Sequence, residues 1–340
     1  MALLEIRDLH LGMRSYEGEA HVLNGVDLKI ERGEIWGLAG ETGCGKSLTG
    51  LSISRLISNP PGRYMGGQIL FDGQDLLALG ETEMRRLRGR HIGMIFQDPA
   101  TNLNPVLRIG DQVSDVALQV ARHSPEALGL GSDASARQRR AAARAMAIEM
   151  LERVGISNAA QRARDYPHQF SGGMRQRVLI AMALVGKPEL LIADEPTTAL
   201  DVTLQAQILQ LLRDLVAESD TAVLLITHNL GVVAQICSHV AVMYAGHIVE
   251  SGRTAEVLGR PAHPYTRALL AALPRAGLAR GQLSNLPGRV PQLVNAPPGC
   301  RFAPRCAQAI AACTAALPPA LSLSPSHRVA CINMKGGAAP

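Results

Sequence analysis

Short apolar runs broken by turn residues open the chain. Leu3–Leu9, Val22–Ile30 and Ile35–Ala39 read as strands. A helix opens at Ser47–Ile53, and Gly67–Gly73 follows as a strand and turn. Glu81–Arg90 is a charged helix, and His91–Phe96 is an apolar strand that ends at Gln97. From about 100 to 165 the β-branched runs give way to Ala, Arg and Gln. Ala145, Ile148, Leu151 and Val154 recur at helical spacing, so Ala141–Val154 reads as a helix within a helical insertion. His123–Ala136, rich in Gly, Ser and Ala, reads as a loose connection within it. The alternation of strand and helix then resumes. Leu190–Ala193 is a buried strand, Asp201–Val216 an amphipathic helix and Ala222–Ile226 a strand. Val240–Tyr244 and His247–Glu250, separated by Ala245-Gly246, form a hairpin. Beyond Gly259 the chain turns proline-rich and loop-like, which places a domain boundary near 260.

Composition narrows the class. With 340 residues, 47% hydrophobic, the chain can bury a large core, and at 3% aromatics that core must be aliphatic. The net charge of +5 admits an anionic partner. The arginines are scattered, however, and none of their runs interleaves with stacking aromatics, so nucleic acid is not an expected partner. No stretch reaches the roughly 18 apolar residues that span a bilayer. The N-terminus lacks a basic and then apolar leader, so the chain reads as cytosolic and its six cysteines as thiols or metal ligands.

The chemistry starts at Gly40-Glu41-Thr42-Gly43-Cys44-Gly45-Lys46-Ser47, followed by Leu48. It fits G-x-x-x-x-G-K-[ST] and lies between a strand and a helix, the context that pattern needs. Its glycines let successive N–H groups converge on one point at a helix N-terminus, where a phosphate binds. Lys46 can reach the β- and γ-phosphates, and the Ser47 hydroxyl can ligate Mg²⁺. Leu190–Ala193 delivers Asp194 and Glu195. An aspartate there suits Mg²⁺, and Glu195 can polarise an attacking water, although strands often end in acidic residues for no such reason. Ser171-Gly172-Gly173-Met174, ahead of the apolar run Val178–Val185, offers a second helix N-terminus for an anion.

These motifs together resemble the ATP-binding subunits of ABC transporters. Ser171-Gly172-Gly173-Met174 resembles the signature loop, and Asp194 through Asp201 is similar to a Walker B segment running into the D-loop. Gln97 falls at the Q-loop, His228 at the switch histidine and Tyr16 at the adenine-stacking aromatic. The commonest signature is Leu-Ser-Gly-Gly-Gln. Phe170 and Met174 depart from it, in the form that peptide importers take. The resemblance covers about residues 3–255. It implies a P-loop ABC cassette with a RecA-like core, an antiparallel β subdomain and a helical subdomain, binding ATP and Mg²⁺ (at Ser47, Gln97 and Asp194). It also implies a head-to-tail pair of cassettes, each ATP lying between the phosphate loop of one and the signature loop of the other.

The tail narrows the resemblance. His263-Pro264-Tyr265-Thr266-Arg267 and Pro297–Cys306 are similar to the C-terminal extension of oligopeptide, dipeptide and nickel importer ATPases. This implies a cassette over 1–259 and an extension over 260–340. The implied role is an ATPase peripheral to the inner membrane, with a second and different ATPase subunit, two permeases and an external binding protein. A soluble ABC ATPase acting on ribosomes or DNA is the rival. It is disfavoured by the single phosphate loop and by an insertion too short for a coiled coil. Cys300, Cys306, Cys313 and Cys331 are spaced C-x5-C-x6-C-x17-C. The tight cysteine pairs of zinc sites are absent. The resemblance implies a [4Fe–4S] cluster, with zinc or free thiols as alternatives. Such a cluster, lying outside the nucleotide motifs, is expected to leave ATP binding untouched when Cys306 is replaced.

Overall fold

The computed structural model of the chain describes residues 2–122, 124–198, 200–273, 286–294 and 296–333. Twelve strands lie among them: β1 (Leu4–Ser15), β2 (Gly18–Ile30), β3 (Ile35–Ala39), β4 (Gly62–Phe71), β5 (Gln74–Asp75), β6 (Ile92–Ile95), β7 (Leu190–Asp194), β8 (Ala222–Thr227), β9 (His239–Tyr244), β10 (His247–Arg253), β11 (Leu321–Ser324) and β12 (His327–Val329). The contacts divide the chain into two compact units, 1–78 with 225–340 and 79–224. The extension expected from residue 260 therefore shares a unit with the N-terminal strands. His123, at the head of the expected loose connection, lies outside the described residues, as do 274–285 and 334–340.

In the first unit an antiparallel sheet runs in the order β2-β1-β4-β5. Leu4, Ile6, Leu9 and Leu11 are buried on β1, and Leu23, Val26, Leu28 and Ile30 on β2. Strict alternation breaks between Ile6 and Leu9, where the register shifts against both partners. Asp8 takes a positive φ of 46° there, and its N–H donates to Asp27 Oδ1 at 2.9 Å. A side chain at Gly67 would meet the Asp8 carbonyl at 2.3 Å, so only glycine fits opposite the bulge. The polar segment around Tyr16 is the tip of this hairpin, since Ser15 pairs with Gly18.

A second set of strands in the same unit follows the order β11-β12-β10-β9-β3, with β3 and β9 parallel. The tail is more structured than its composition suggests. Pro264–Ala271 is a helix, capped by His263 through the Tyr265 N–H. β12 adds to the edge of β10, pairing Glu250 with Val329 and Gly252 with His327. Proline density marks such segments as turns, but strands of three or four residues are too short to show a period.

The second unit carries β6 and β7 in parallel, with Ile95 opposite Ala193. Its helices include Pro99–Asn102, Ile109–Ala121, Ala136–Arg153, Ala159–Arg162, Gly172–Leu184 and Val202–Ala217. The long helix starts five residues earlier than its apolar spacing predicts. Ser135 and Gln138 form a capping box that holds its first turn. Gly110 lies against Ala163, where a side chain would meet its Cβ at 2.7 Å, so Ile109–Ala121 packs closely on the end of the insertion. β8 crosses from one unit to the other between Leu224 and Leu225. No helix among the described residues is long and apolar enough to cross a membrane.

Candidate functional site

The sequence-predicted residues divide between the two units. Tyr16, Gly40–Leu48, His228 and the four tail cysteines belong to the first. Gln97, Ser171–Met174, Asp194, Glu195 and Asp201 belong to the second.

In the first unit β3 ends at Ala39, and the helix Lys46–Ile53 begins six residues beyond Gly40. Gly40, Gly43 and Gly45 all have positive φ, and a Cβ at Gly40 would lie 2.2 Å from the Met243 carbonyl. Glycine is therefore required by both conformation and close approach. Lys46 is buried, and its Nζ donates to the Gly40 and Glu41 carbonyls, each at 2.9 Å. The ammonium thus bends back over the loop, where phosphate oxygens would compete for it. Cys44 is fully buried, and burial pushes its thiol up, which suits packing rather than reactivity. Tyr16 stands fully exposed at the hairpin tip. His228 follows β8 in a short turn fixed on both sides. The Asn229 N–H donates to Thr227 Oγ1 at 3.0 Å, and the Asn229 carboxamide oxygen caps the helix Leu230–Ile236.

In the second unit strand register creates a contact that spacing could not specify. Ile95 lies opposite Ala193, so the residues two positions beyond each strand-end pair, Gln97 and Glu195, emerge side by side. Gln97 Nε2 donates to Glu195 Oε2 at 3.0 Å, and Thr198 Oγ1 donates to the same oxygen at 2.8 Å. Glu195 is buried and adopts a positive φ of 46°, unusual for a residue other than glycine. Thr198 was not identified from the sequence as a partner, although a Thr three residues past the carboxylate was visible in the motif.

Ser171 caps the helix Gly172–Leu184, its Oγ accepting from the Met174 N–H at 3.3 Å. Gly173 is buried, and a Cβ there would approach Leu204 at 3.2 Å. The two departures from the commonest signature share one partner that the sequence did not reveal. The Arg162 guanidinium lies 5.0 Å from the Phe170 ring centroid, and its Nη2 is 3.8 Å from the Met174 sulfur. Arg177 Nη1 donates to the Val154 carbonyl at 2.6 Å and ties this helix to the insertion. Asp201 has a structural task, accepting from the Leu204 N–H at 2.9 Å as N-cap of Val202–Ala217.

The tail brings its four cysteines around one small cavity, lined also by His263, Phe302 and Gln308. All are free thiols. Burial pushes the Cys300 and Cys331 thiols up, which favours their neutral, protonated form in the absence of a bound group. Among the described residues no three His, Cys, Asp or Glu side chains gather closely enough for a single metal ion.

Comparison with known proteins agrees with this geometry. The ABC transporter family profile matches residues 23–198, and the profile for the C-terminal region of oligopeptide/dipeptide transporters matches 249–313. The chain is 46% identical over 328 residues to the oligopeptide transport ATP-binding protein OppD of Bacillus subtilis, covering 96% of this chain and 87% of that one. It is 44% identical over 329 residues to the dipeptide transport ATP-binding protein DppD of the same organism, covering 97% and 94%. Among solved structures, a dimeric ATP-binding cassette in a post-hydrolysis state with ADP and phosphate aligns at a TM-score of 0.62. It has 26% identity and covers 74% of this chain and 98% of that chain. A glycine-rich loop closed by its own lysine, a carboxylate held at a strand end, and both profile matches in one chain lead to one conclusion: this protein belongs to the ABC transporter ATP-binding family and carries the C-terminal region of the oligopeptide/dipeptide transporters.

Proposed function

We propose that this chain is the ATP-hydrolysing subunit that energises import of di- or oligopeptides through an ABC transporter. The observation that carries the ATPase role is the Glu195 carboxylate, buried and held by Gln97 and Thr198, in a chain that also has Gly40–Ser47. A carboxylate fixed in this way suits a general base for the attacking water. Lys46 and the loop N–H groups receive the phosphates. Ser47, Gln97 and Asp194 bind Mg²⁺, and His228 contacts the γ-phosphate. Tyr16, exposed at its hairpin tip, stacks on adenine. Ser171, Gly172, Gly173 and Met174 contact the ATP of a partner cassette, for which the exposed start of a 13-residue helix is suited. The cargo class rests on the C-terminal region shared with peptide transporters.

The protein works at the cytoplasmic face of the membrane beside two permease subunits and an external binding protein. Its cassette partner is a second, different ATPase subunit. Intact mass of the purified complex tests this, and two copies of this chain alone would exclude it. Cys300, Cys306, Cys313 and Cys331 hold a [4Fe–4S] cluster, supported by their shared cavity and by the match of four thiols to its ligand count. When bound, the cluster supplies a cross-link for the tail. Anaerobic preparation should give brown protein with iron and acid-labile sulfide. Colourless protein with stoichiometric zinc rejects the cluster.

For the ATPase reading, Glu195→Gln in the assembled transporter should keep ATP binding and abolish both turnover and peptide uptake. Hydrolysis at the wild-type rate would remove Glu195 from the role of base.

A further inference from the structure

Glu41, the second residue of the phosphate loop, is gripped at both ends by residues from the C-terminal extension. Its carboxylate receives a bidentate pair from Arg305, Nη1 to Oε2 at 2.6 Å and Nη2 to Oε1 at 3.0 Å. Its backbone N–H donates to the Tyr265 hydroxyl at 2.9 Å. Its carbonyl accepts from Lys46 Nζ at 2.9 Å and from the Cys44 N–H at 3.3 Å. All polar groups of this residue are therefore committed, and those facing away from the loop are committed to the tail.

The gripping residues are themselves immobilised. Arg305 Nε donates to the Pro287 carbonyl at 2.8 Å, and Nη1 reaches the Tyr244 hydroxyl at 3.3 Å. The Arg305 side chain is only 7% exposed, which separates this pair from the weak ion pairs of open surfaces. Tyr265 is fully buried, edge-on to Tyr244 at 4.6 Å and tilted against Phe302 at 5.3 Å. Three of the few aromatic residues in an otherwise aliphatic chain thus meet beside the phosphate loop. That loop binds only while its N–H groups stay aimed at one point, and fixing them before the ligand arrives lowers the cost of binding.

We propose that Arg305 and Tyr265 are positioning residues for the nucleotide: the C-terminal extension holds Glu41, and through it the phosphate loop, in the binding conformation. This inference rests on the reading of Gly40–Ser47 as the phosphate loop. Arg305 adjoins Cys306, so ATP binding by Cys306→Ser, expected above to be spared, is measured in the same series.

Equilibrium binding of ATP with Mg²⁺ to the full chain tests the proposal, with thermal melting in parallel. Arg305→Ala should weaken ATP binding about tenfold, equivalent to about 1.4 kcal/mol. Arg305→Lys, which keeps the charge but not the fork, should recover part of that loss. Tyr265→Phe, which removes only the hydroxyl, should cost about threefold. Glu41→Ala combined with Arg305→Ala should bind no worse than either alone. In the assembled transporter the loss should appear in KM for ATP far more than in kcat. If Arg305→Ala and Tyr265→Phe bind ATP as wild type while melting earlier, the contacts merely anchor the tail and the proposal is overturned. Should Arg305→Ala not fold, Arg305→Lys and Tyr265→Phe decide the matter by the same criterion. Lys46→Ala serves as control: undiminished ATP binding by that variant would reject the phosphate-loop reading itself, and this inference with it.

Discussion

Glu250 offers the sharpest test of how the extension is fastened to the cassette. It lies on β10 with its side chain completely buried. One carboxylate oxygen accepts from the Ala262 N–H at 2.7 Å and pairs with His327 Nε2 at 2.8 Å, while the other accepts from the His263 N–H at 3.0 Å. Glu250→Ala strands two buried N–H groups and a histidine nitrogen, each costing about 1–3 kcal/mol. Relief from desolving the carboxylate offsets part of that, leaving a net loss of roughly 3–5 kcal/mol. Glu250→Gln keeps the shape and one acceptor oxygen but turns an NH₂ toward a donor, so it should lose about 1–3 kcal/mol. Urea unfolding of the full chain can be followed by fluorescence of Trp36, its single tryptophan. Trp36 stacks on His239 at 4.8 Å in the same unit, so its signal reports on that unit. The required order is wild type, then Gln, then Ala. A loss below about 1 kcal/mol for Glu250→Ala, or equal losses for both variants, would refute the reasoning.

Stability should also fall on acidification. Burial, aided by Arg267, depresses His263 to about 4, and burial, aided by Arg301 and His10, depresses His247 to about 3. Both stay neutral in the fold while the unfolded chain takes up protons below about 6.5. Their contribution is complete above that pH and drains at up to about 1.4 kcal/mol per unit per histidine as pH falls toward 4 and 3. A urea midpoint unchanged between pH 7.5 and 5.0 would contradict this. Gly40→Ala forces a Cβ to within 2.2 Å of the Met243 carbonyl, so titration with ATP should show binding lost or weakened at least tenfold. Gly186→Ala puts a Cβ 1.9 Å from the Gly89 carbonyl in the second unit. It should destabilise that unit by about 1–3 kcal/mol or more, read by melting, with wild-type stability as the contrary result.

The candidate site was proposable from the sequence because its chemistry is local. A phosphate loop needs glycines, a lysine and a serine in unbroken order, and the glycines at 40, 43 and 45 do take the positive φ that such a turn requires. The continuous apolar runs that became β3, β7 and β8 could be read for the same reason, since burial on both faces leaves an unbroken hydrophobic signature. The tail resisted reading because strands of three or four residues carry no period, and β12 exists only by pairing with β10 on one side and β11 on the other. Phe170 and Met174 looked like departures from a pattern until Arg162 came to lie against both.

Contacts between distant segments were decided by tertiary structure alone. Gln97 and Glu195 are 98 residues apart and meet because β6 and β7 pair in one register; a slip of one residue would turn them to opposite faces. Arg305 and Glu41 are 264 residues apart, and nothing in either neighbourhood names the other. The amino-acid sequence by itself determined which groups could bind a nucleotide, because a motif is a property of consecutive backbone. Only packing determined which far residues hold those groups in place, because that depends on which surfaces of the folded chain come to touch.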